Sequence, residues 1–318
     1  MEKGLTERGL ATPVLIIAYR RVQTTREVLD AVRLARPKRL YVAFNACRTG
    51  NQIEQVQCEE VRKLFESVDW PCEVRQLSRV EHLSARESIS GAITWFFEAE
   101  KCGIILEDDC VPSQGFFQFA EELLERYADD KRIGMISGNN FQFGRSRGLA
   151  SYYFSRYSHI WGWATWRDRW ISRDAAMKAW PENRKELLNE LRSPLQRLYW
   201  NWIFQRSYLG LIDTWDYQWL FSNWINNRLT ILPQVNLVTN VGFDQLAHNT
   251  RNISPAANIE AKELLFPLTH PEVFLSNRAA DDYTFNKIYV PPVVAMLRVV
   301  CLIITKVWFK ISKLMMNR

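Results

Sequence analysis

Apolar and polar positions over the first 110 residues alternate between a strand-like and a helix-like rhythm. Residues 14–19 (VLIIAY), 39–44 (RLYVAF) and 104–106 are short, largely apolar runs that predict strands, and 73–77 (EVRQL) reads as a further one. Between them, residues 24–34, 52–67 and 84–97 carry apolar positions at helical spacing, clearest at Ile89, Ala92, Ile93, Phe96 and Phe97. Thr24 with Glu27, and Ser84 with Glu87, have capping-box spacing and predict helix starts. The order β-α-β-α-β-α-β predicts a parallel, doubly wound sheet. Further on, Phe116, Phe117, Ala120, Leu123, Leu124 and Tyr127 predict a helix, and residues 133–137 and 152–155 predict strands. Residues 161–224 hold ten of the thirteen tryptophans; they read as a second core layer, some of whose indoles could line a sugar-binding cleft.

Composition refines this picture. A chain of 318 residues accommodates one large domain or two small ones. The net charge is +6, and residues 283–318 contain no Asp or Glu but six cations, Lys287, Arg298, Lys306, Lys310, Lys313 and Arg318. The rest of the chain is therefore balanced, without the basic stripe expected of a nucleic-acid binder. From residue 293 to 316 the chain is apolar but interrupted by cations. That pattern suits an amphipathic helix lying on an anionic leaflet, or one docked on the core with a basic outer face. The six cysteines have neither C-x-x-C nor zinc spacing, and read as reduced thiols of a cytosolic protein. No apolar run precedes Val14, so neither a secretory signal nor an N-terminal anchor is expected. The expected organisation is a leader (1–12), a main α/β domain (13–252), a wrapping segment or linker (253–288) and a membrane-associating helix (289–318).

The most chemically informative string is residues 103–110, GIILEDDC. Three acids, Glu107, Asp108 and Asp109, follow a buried strand at its carboxyl end, where open α/β sheets bind ligands. Crowded carboxylates repel unless a cation neutralises them, and hard oxygen donors suit Mg²⁺ or Mn²⁺ shared with a phosphate. The alternative is a solvated acidic turn.

Six segments together give a more specific indication. PVLIIAYRR, the helix from Ser84, GIILEDDCVPSQGFFQF, WGWATW, TWDYQW and NLVTNVGFDQLAHNT, in this order, resemble the GT-A-fold nucleotide-diphospho-sugar glycosyltransferases over residues 13–250. The likeness extends to bacterial hemolytic-protein-like sugar transferases and to the Golgi N-acetylglucosaminyltransferase that starts N-glycan branching. It implies a GT-A fold, a Rossmann-like, mostly parallel sheet flanked by helices. It also implies that Asp109 is the direct ligand of Mn²⁺ or Mg²⁺, with His248 reaching the metal or diphosphate. By the same resemblance Glu107 and Asp108 touch ribose, sugar or metal-bound water, and Tyr19, Arg20 and Arg48 hold the nucleotide. Asn45 stands where relatives carry an Asp facing the base or ribose, Arg86 sits at a helix start facing the diphosphate, and Gly162 and Trp163 belong to a sugar-contacting loop. Asp216 matches the general base for the acceptor hydroxyl; without the resemblance it reads as the cap of a helix beginning at Tyr217.

The expected activity is a metal-dependent, inverting transfer from a UDP-sugar to a hydroxyl of a surface glycan or lipid-linked glycan. It would take place at the cytoplasmic face of a membrane. Two rivals stay open: a nucleotidyltransferase that makes nucleotide-sugars, and a non-catalytic carbohydrate-binding protein. A nucleotidyltransferase is expected to carry a Gly-rich loop and Lys after the first strand, where this chain has Tyr19, Arg20 and Arg21.

Overall fold

A computed structural model describes residues 9–243 and 256–290. The first half alternates as the apolar pattern predicts: β1 (Val14–Ala18), α1 (Val22–Ala35), β2 (Arg39–Phe44), α2 (Gln52–Leu64), β3 (Glu73–Ser78), α3 (Ala85–Ala99) and β4 (Cys102–Glu107). A two-residue turn at Asp108 and Asp109 leads into β5 (Cys110–Pro112), then α4 (Gln114–Arg126), β6 (Ile133–Ser137), β7 (Tyr152–Ser155) and β8 (Trp163–Trp166). Next come α5 (Arg167–Ile171), α6 (Trp180–Asn189), α7 (Pro194–Tyr208), α8 (Asp216–Ile225), β9 (Leu229–Pro233), β10 (Val238–Asn240) and α9 (Arg278–Thr284).

Eight strands form one mixed sheet in the order β3-β2-β1-β4-β8-β6-β9-β7. The β1–β2, β2–β3, β1–β4 and β6–β9 pairs are parallel, while β8 runs antiparallel to both β4 and β6 and β7 antiparallel to β9. The chain lays β2 and β3 on one side of β1 and returns to place β4 on the other. This reversal opens a crevice above the carboxyl ends of β1 and β4, the position where such sheets bind ligands.

Alternation along β1 explains the two layers. Val14, Ile16 and Ala18 face α1 and α4, packing with Val28, Val32, Phe116 and Phe117. Leu15 and Ile17 face α3 and a tryptophan layer of Trp163, Trp170, Trp215 and Trp219. A third apolar cluster joins α6, α7 and α8 to Phe285 and Tyr289. Most of the dense tryptophan segment is therefore core.

Two sequence expectations are corrected. The helix after β1 starts at Val22 rather than at a Thr24 cap. The Thr24 and Thr25 hydroxyls donate back to the Arg21 carbonyl instead. Val111-Pro112-Ser113 reads in the sequence as a break after the acidic strand, yet residues 110–112 pair antiparallel with β10, Cys110 opposite Asn240, and proline is tolerated in such a short edge pairing. The Ser84 capping box forms as expected. Among the described residues no helix is long and apolar enough to cross a membrane. The expected membrane-associating helix lies outside the described residues except for 289 and 290.

Candidate functional site

The crevice is built from the turns that follow β1 and β4. The parallel register sets Ile17 beside Glu107, so Tyr19, Arg20 and Arg21 emerge next to Asp108 and Asp109. The Tyr19 amide donates to Asp108 Oδ2 at 3.1 Å. The Arg21 guanidinium bridges both acids, with Nη1 at 2.5 Å from Asp109 Oδ2 and 3.6 Å from Asp108 Oδ1. Arg21 was not among the sequence candidates, although it follows Arg20 directly.

Glu107 lies deeper. Burial, then the neighbouring charges of Asp109, Asp108 and Asp216, push its carboxyl upward, against one lowering contribution from Arg21. Four carboxyl groups, those of Glu107, Asp108, Asp109 and Asp216, therefore act on one another here, with the Arg21 guanidinium among them. The β5–β10 pairing closes it from above: the Val241 amide donates to the Asp109 carbonyl at 2.9 Å. A Cβ on Gly242 would lie 2.0 Å from Asp109 Oδ2 and 2.9 Å from Arg21 Nη1, so only glycine lets the backbone pass there. His248, the second expected metal ligand, lies outside the described residues.

Among the described residues no three His, Cys, Asp or Glu side chains are grouped so as to hold a metal ion. A closed protein cage is therefore absent from this part of the chain. The adjacent carboxyl oxygens of Asp108 and Asp109 do fit an ion of the Mg²⁺ or Mn²⁺ type, which one or two carboxylates share with phosphates.

On the β2 side, a residue missed in the sequence organises the nucleotide candidates. Glu54, near the start of α2, is 1 % exposed. It accepts from the Tyr19 hydroxyl and, at 2.7 Å, from the Arg48 amide. The guanidinium groups of Arg20 and Arg48 lie 3.3 and 3.5 Å from its Oε2. Burial pushes its carboxyl up, but the hydrogen bonds from Tyr19 and Arg48 and the nearby guanidiniums outweigh it, so it sits below its ordinary value. Only the spacing Asn51 to Glu54 hinted at this, since Asn51 caps α2 by accepting from the Glu54 amide.

Four candidates take structural positions. Asn45 uses both ends of its amide on backbone: Nδ2 donates to the Leu83 carbonyl, and Oδ1 accepts from the Ala46 and Leu83 amides. Its side chain thus stitches the post-β2 loop to the turn before α3 instead of reaching for a base. Arg86 donates to the Ala175 carbonyl at 2.9 Å. The amides of Ala85 and Arg86 at the start of α3 donate to Asp213, both at 3.3 Å. A protein carboxylate therefore takes the place expected for a diphosphate at that helix end. Trp163 is fully buried, so its indole does not face the cleft. Gly162, with φ +72°, carries the chain tightly past Val238, and its carbonyl accepts from the Gly138 amide.

Trp163 has another use. It stands opposite Ile105 in the β4–β8 register and stacks on Trp215, centroids 5.5 Å apart and planes 22° from parallel. That stack hangs the start of α8 beside the end of β4. Asp216 is the first residue of α8, with Trp215 rather than Asp216 at the cap position. It is half-buried and accepts from the Thr214 hydroxyl. Burial raises its carboxyl, and it is near enough to Glu107 to contribute to that group's upward shift. The crevice therefore joins an acid–guanidinium turn, a tyrosine–arginine cluster around Glu54 and a separate carboxylate on α8.

No family model matches the chain. No curated protein matches it either. Among solved structures, HddC from Yersinia pseudotuberculosis is similar over 49% of this chain and 77% of its own, at 9% identity and a TM-score of 0.30. Apo-UDP-glucose pyrophosphorylase covers 71% of this chain and 90% of its own, at 10% identity and a TM-score of 0.35. UDP-glucose pyrophosphorylase complexed with UDP-glucose has the same coverage, at 7% identity and a TM-score of 0.37. Scores this low carry no weight for fold or chemistry.

Proposed function

We propose that this chain is a glycosyltransferase that moves a sugar from a nucleoside-diphosphate donor, a UDP-sugar, to a hydroxyl of a glycan or lipid-linked glycan. The observation that carries this reading is the meeting, at one switch point, of the Glu107–Asp109 turn with Arg21 and of a separately anchored Asp216. Departure of a nucleoside diphosphate leaves charge on the bridging oxygen, and Arg21 is placed to meet it. The nucleotide would lie toward Tyr19, Arg20 and Arg48, whose side chains Glu54 holds in place. Asp109, helped by Asp108, would hold Mn²⁺ or Mg²⁺, which supplies Lewis acidity at the phosphates. Asp216 would take the proton of the acceptor hydroxyl onto its carboxylate, and attack from the face opposite the leaving group would give inversion. The cationic segment beyond residue 290 supports a place on an anionic membrane surface, at the cytoplasmic face.

A second reading is nucleotidyl transfer from a nucleoside triphosphate to a sugar phosphate. The three guanidiniums of Arg20, Arg21 and Arg48 favour it, since a triphosphate carries more charge than a diphosphate. One experiment separates the two. Incubation with a panel of nucleotide-sugars and Mn²⁺ should release nucleoside diphosphate and build a glycosidic product. Release of pyrophosphate from a nucleoside triphosphate and a sugar phosphate would move the assignment to the second reading, and no turnover in either assay would remove both.

A further inference from the structure

Helix α7 is apolar on two faces. Its inner face, with Tyr199, Trp200, Ile203 and Phe204, fills the third apolar cluster. Its outer face carries Leu198 at 47% exposure and Trp202 at 37%, continued past the helix end by Leu209 at 57% and Leu211 at 58%. At 100° per residue, Leu198, Trp202 and Leu209 fall within about 40° of one another, a continuous stripe. A globular helix ordinarily turns polar residues outward; this one turns leucine and tryptophan outward.

The helix end reinforces the stripe. The Gly210 amide donates to the Ser207 carbonyl at 3.1 Å and the Leu211 amide to the Arg206 carbonyl at 2.9 Å, a Schellman arrangement. In that motif the residue after the glycine usually packs on an apolar side chain in the last turn. Here the position is Arg206, so Leu211 is left outside. The flanks are cationic. Residues 194–212 contain Arg197 and Arg206 and no Asp or Glu. Arg206 lies over the Trp202 ring at 5.1 Å, and Arg184 of α6 is drawn to the same helix through Asn201, at 2.7 Å. Tryptophan with arginine at its edge, on an apolar stripe without acids, is the chemistry of an anionic membrane interface. The stripe also leads toward the site: Asp213, which accepts from the first amides of α3, and Asp216 come shortly after Leu211 in the chain.

We propose that the outer face of α7, with Leu198, Trp202, Leu209 and Leu211 bordered by Arg197 and Arg206, is a lipid-contacting surface that lays the Asp216 side of the crevice against an anionic bilayer. This contact is separate from the cationic segment beyond residue 290. It also gives the crevice an orientation, with Asp216 next to whatever hydroxyl projects from the bilayer surface.

The test uses the full chain and vesicles of phosphatidylcholine with and without phosphatidylglycerol, doped with a phospholipid that carries a diazirine in its acyl chain. Photolysis should label the peptide spanning residues 194–211 in the anionic vesicles. The variant L198S/W202S/L209S changes only exposed positions, and native near-ultraviolet circular dichroism should show that it folds. It should bind anionic vesicles roughly tenfold more weakly, as loss of interfacial apolar area requires. Absence of label in that peptide would overturn the proposal, as would a variant that binds like the wild type. So would lipid-free self-association of the wild type that the same substitutions abolish, because a second copy would then be the occupant. Turnover does not enter these readouts, so a crevice that catalysed nothing would leave the result standing.

Discussion

Nη1 of Arg21 lies 2.5 Å from Oδ2 of Asp109, inside the acid turn that ends β4. An incoming divalent cation and this guanidinium compete for one carboxylate. Arg21→Ala should therefore tighten binding of Mn²⁺ alone, by roughly tenfold, since removal of one nearby positive charge is worth a few kcal/mol at most at an effective dielectric near 20. The same substitution should weaken binding of a nucleoside diphosphate. Titration calorimetry with Mn²⁺, then with UDP, reads the two signs. If both affinities move the same way, Arg21 does not stand between metal and phosphate.

Asp109→Ala should abolish turnover, with a loss of roughly 10²-fold or more if the carboxylate positions the cation. The fold should survive, because Asp108 remains to pair with Arg21 and one source of repulsion on Glu107 disappears. Thermal unfolding and metal-stimulated transfer measure the two parts. Retained metal-stimulated transfer would place the ion elsewhere.

Asp216→Asn keeps shape but removes the proton acceptor, so kcat should fall by roughly 10²-fold or more while donor affinity changes little. Trp163→Ala reaches the same carboxylate indirectly. It deletes the ring on which Trp215 stacks, and should cost about 3–5 kcal/mol of stability as a buried aromatic deletion in addition to lowering kcat. Equal loss of donor affinity and rate in Asp216→Asn would assign it to the donor side.

Two buried acids should tilt stability in opposite directions with pH. Glu54 is held below its ordinary value of 4.5. Its contribution is present above the unfolded pKa and is lost as pH falls through the folded one, so Glu54→Gln should remove part of the acid-side slope. Asp281 is raised by burial to about 6, although it accepts from Ser155 and the Arg156 amide. Between its ordinary value of 3.8 and about 6 the folded state binds the extra proton. Stability should therefore fall with rising pH across that window, by about 3 kcal/mol. Asp281→Asn should flatten that fall, and denaturant midpoints taken from pH 3 to about 8 would show both effects. An Asp281→Asn profile parallel to the wild type would mean that its carboxyl titrates normally.

Local signals carried much of this fold. β1, β2 and β4 are legible because their burial on both faces leaves unbroken apolar runs, and the Ser84 box is legible because capping is decided within four residues. The Thr24 box reads wrongly because the chain enters α1 from Arg21, whose side chain is committed to Asp109 rather than to a cap. β8, inserted antiparallel between β4 and β6, is four residues of tryptophan, alanine and threonine, too short for a period. The acid turn could be found because it is contiguous. Glu54 could not, because its partners at Tyr19 and Arg20 lie more than thirty positions away and only the β1–β2 pairing joins them. Trp163 misled for a related reason: an indole in a loop-like motif suggests a sugar platform, while its strand register sends it inward.

The β5–β10 pairing sets Cys110 opposite Asn240, and so governs when the site exists as well as where. During vectorial synthesis the parallel β1–β4 half can assemble from its own residues, as domains do from the amino end. Its acid turn then stays open until β10 and the Val241 amide have left the ribosome and closed over Asp109. A nascent chain short of residue 240 would hold a sheet and a carboxylate cluster without its roof. The closed form of the turn would thus arrive late, after the helices that surround the crevice.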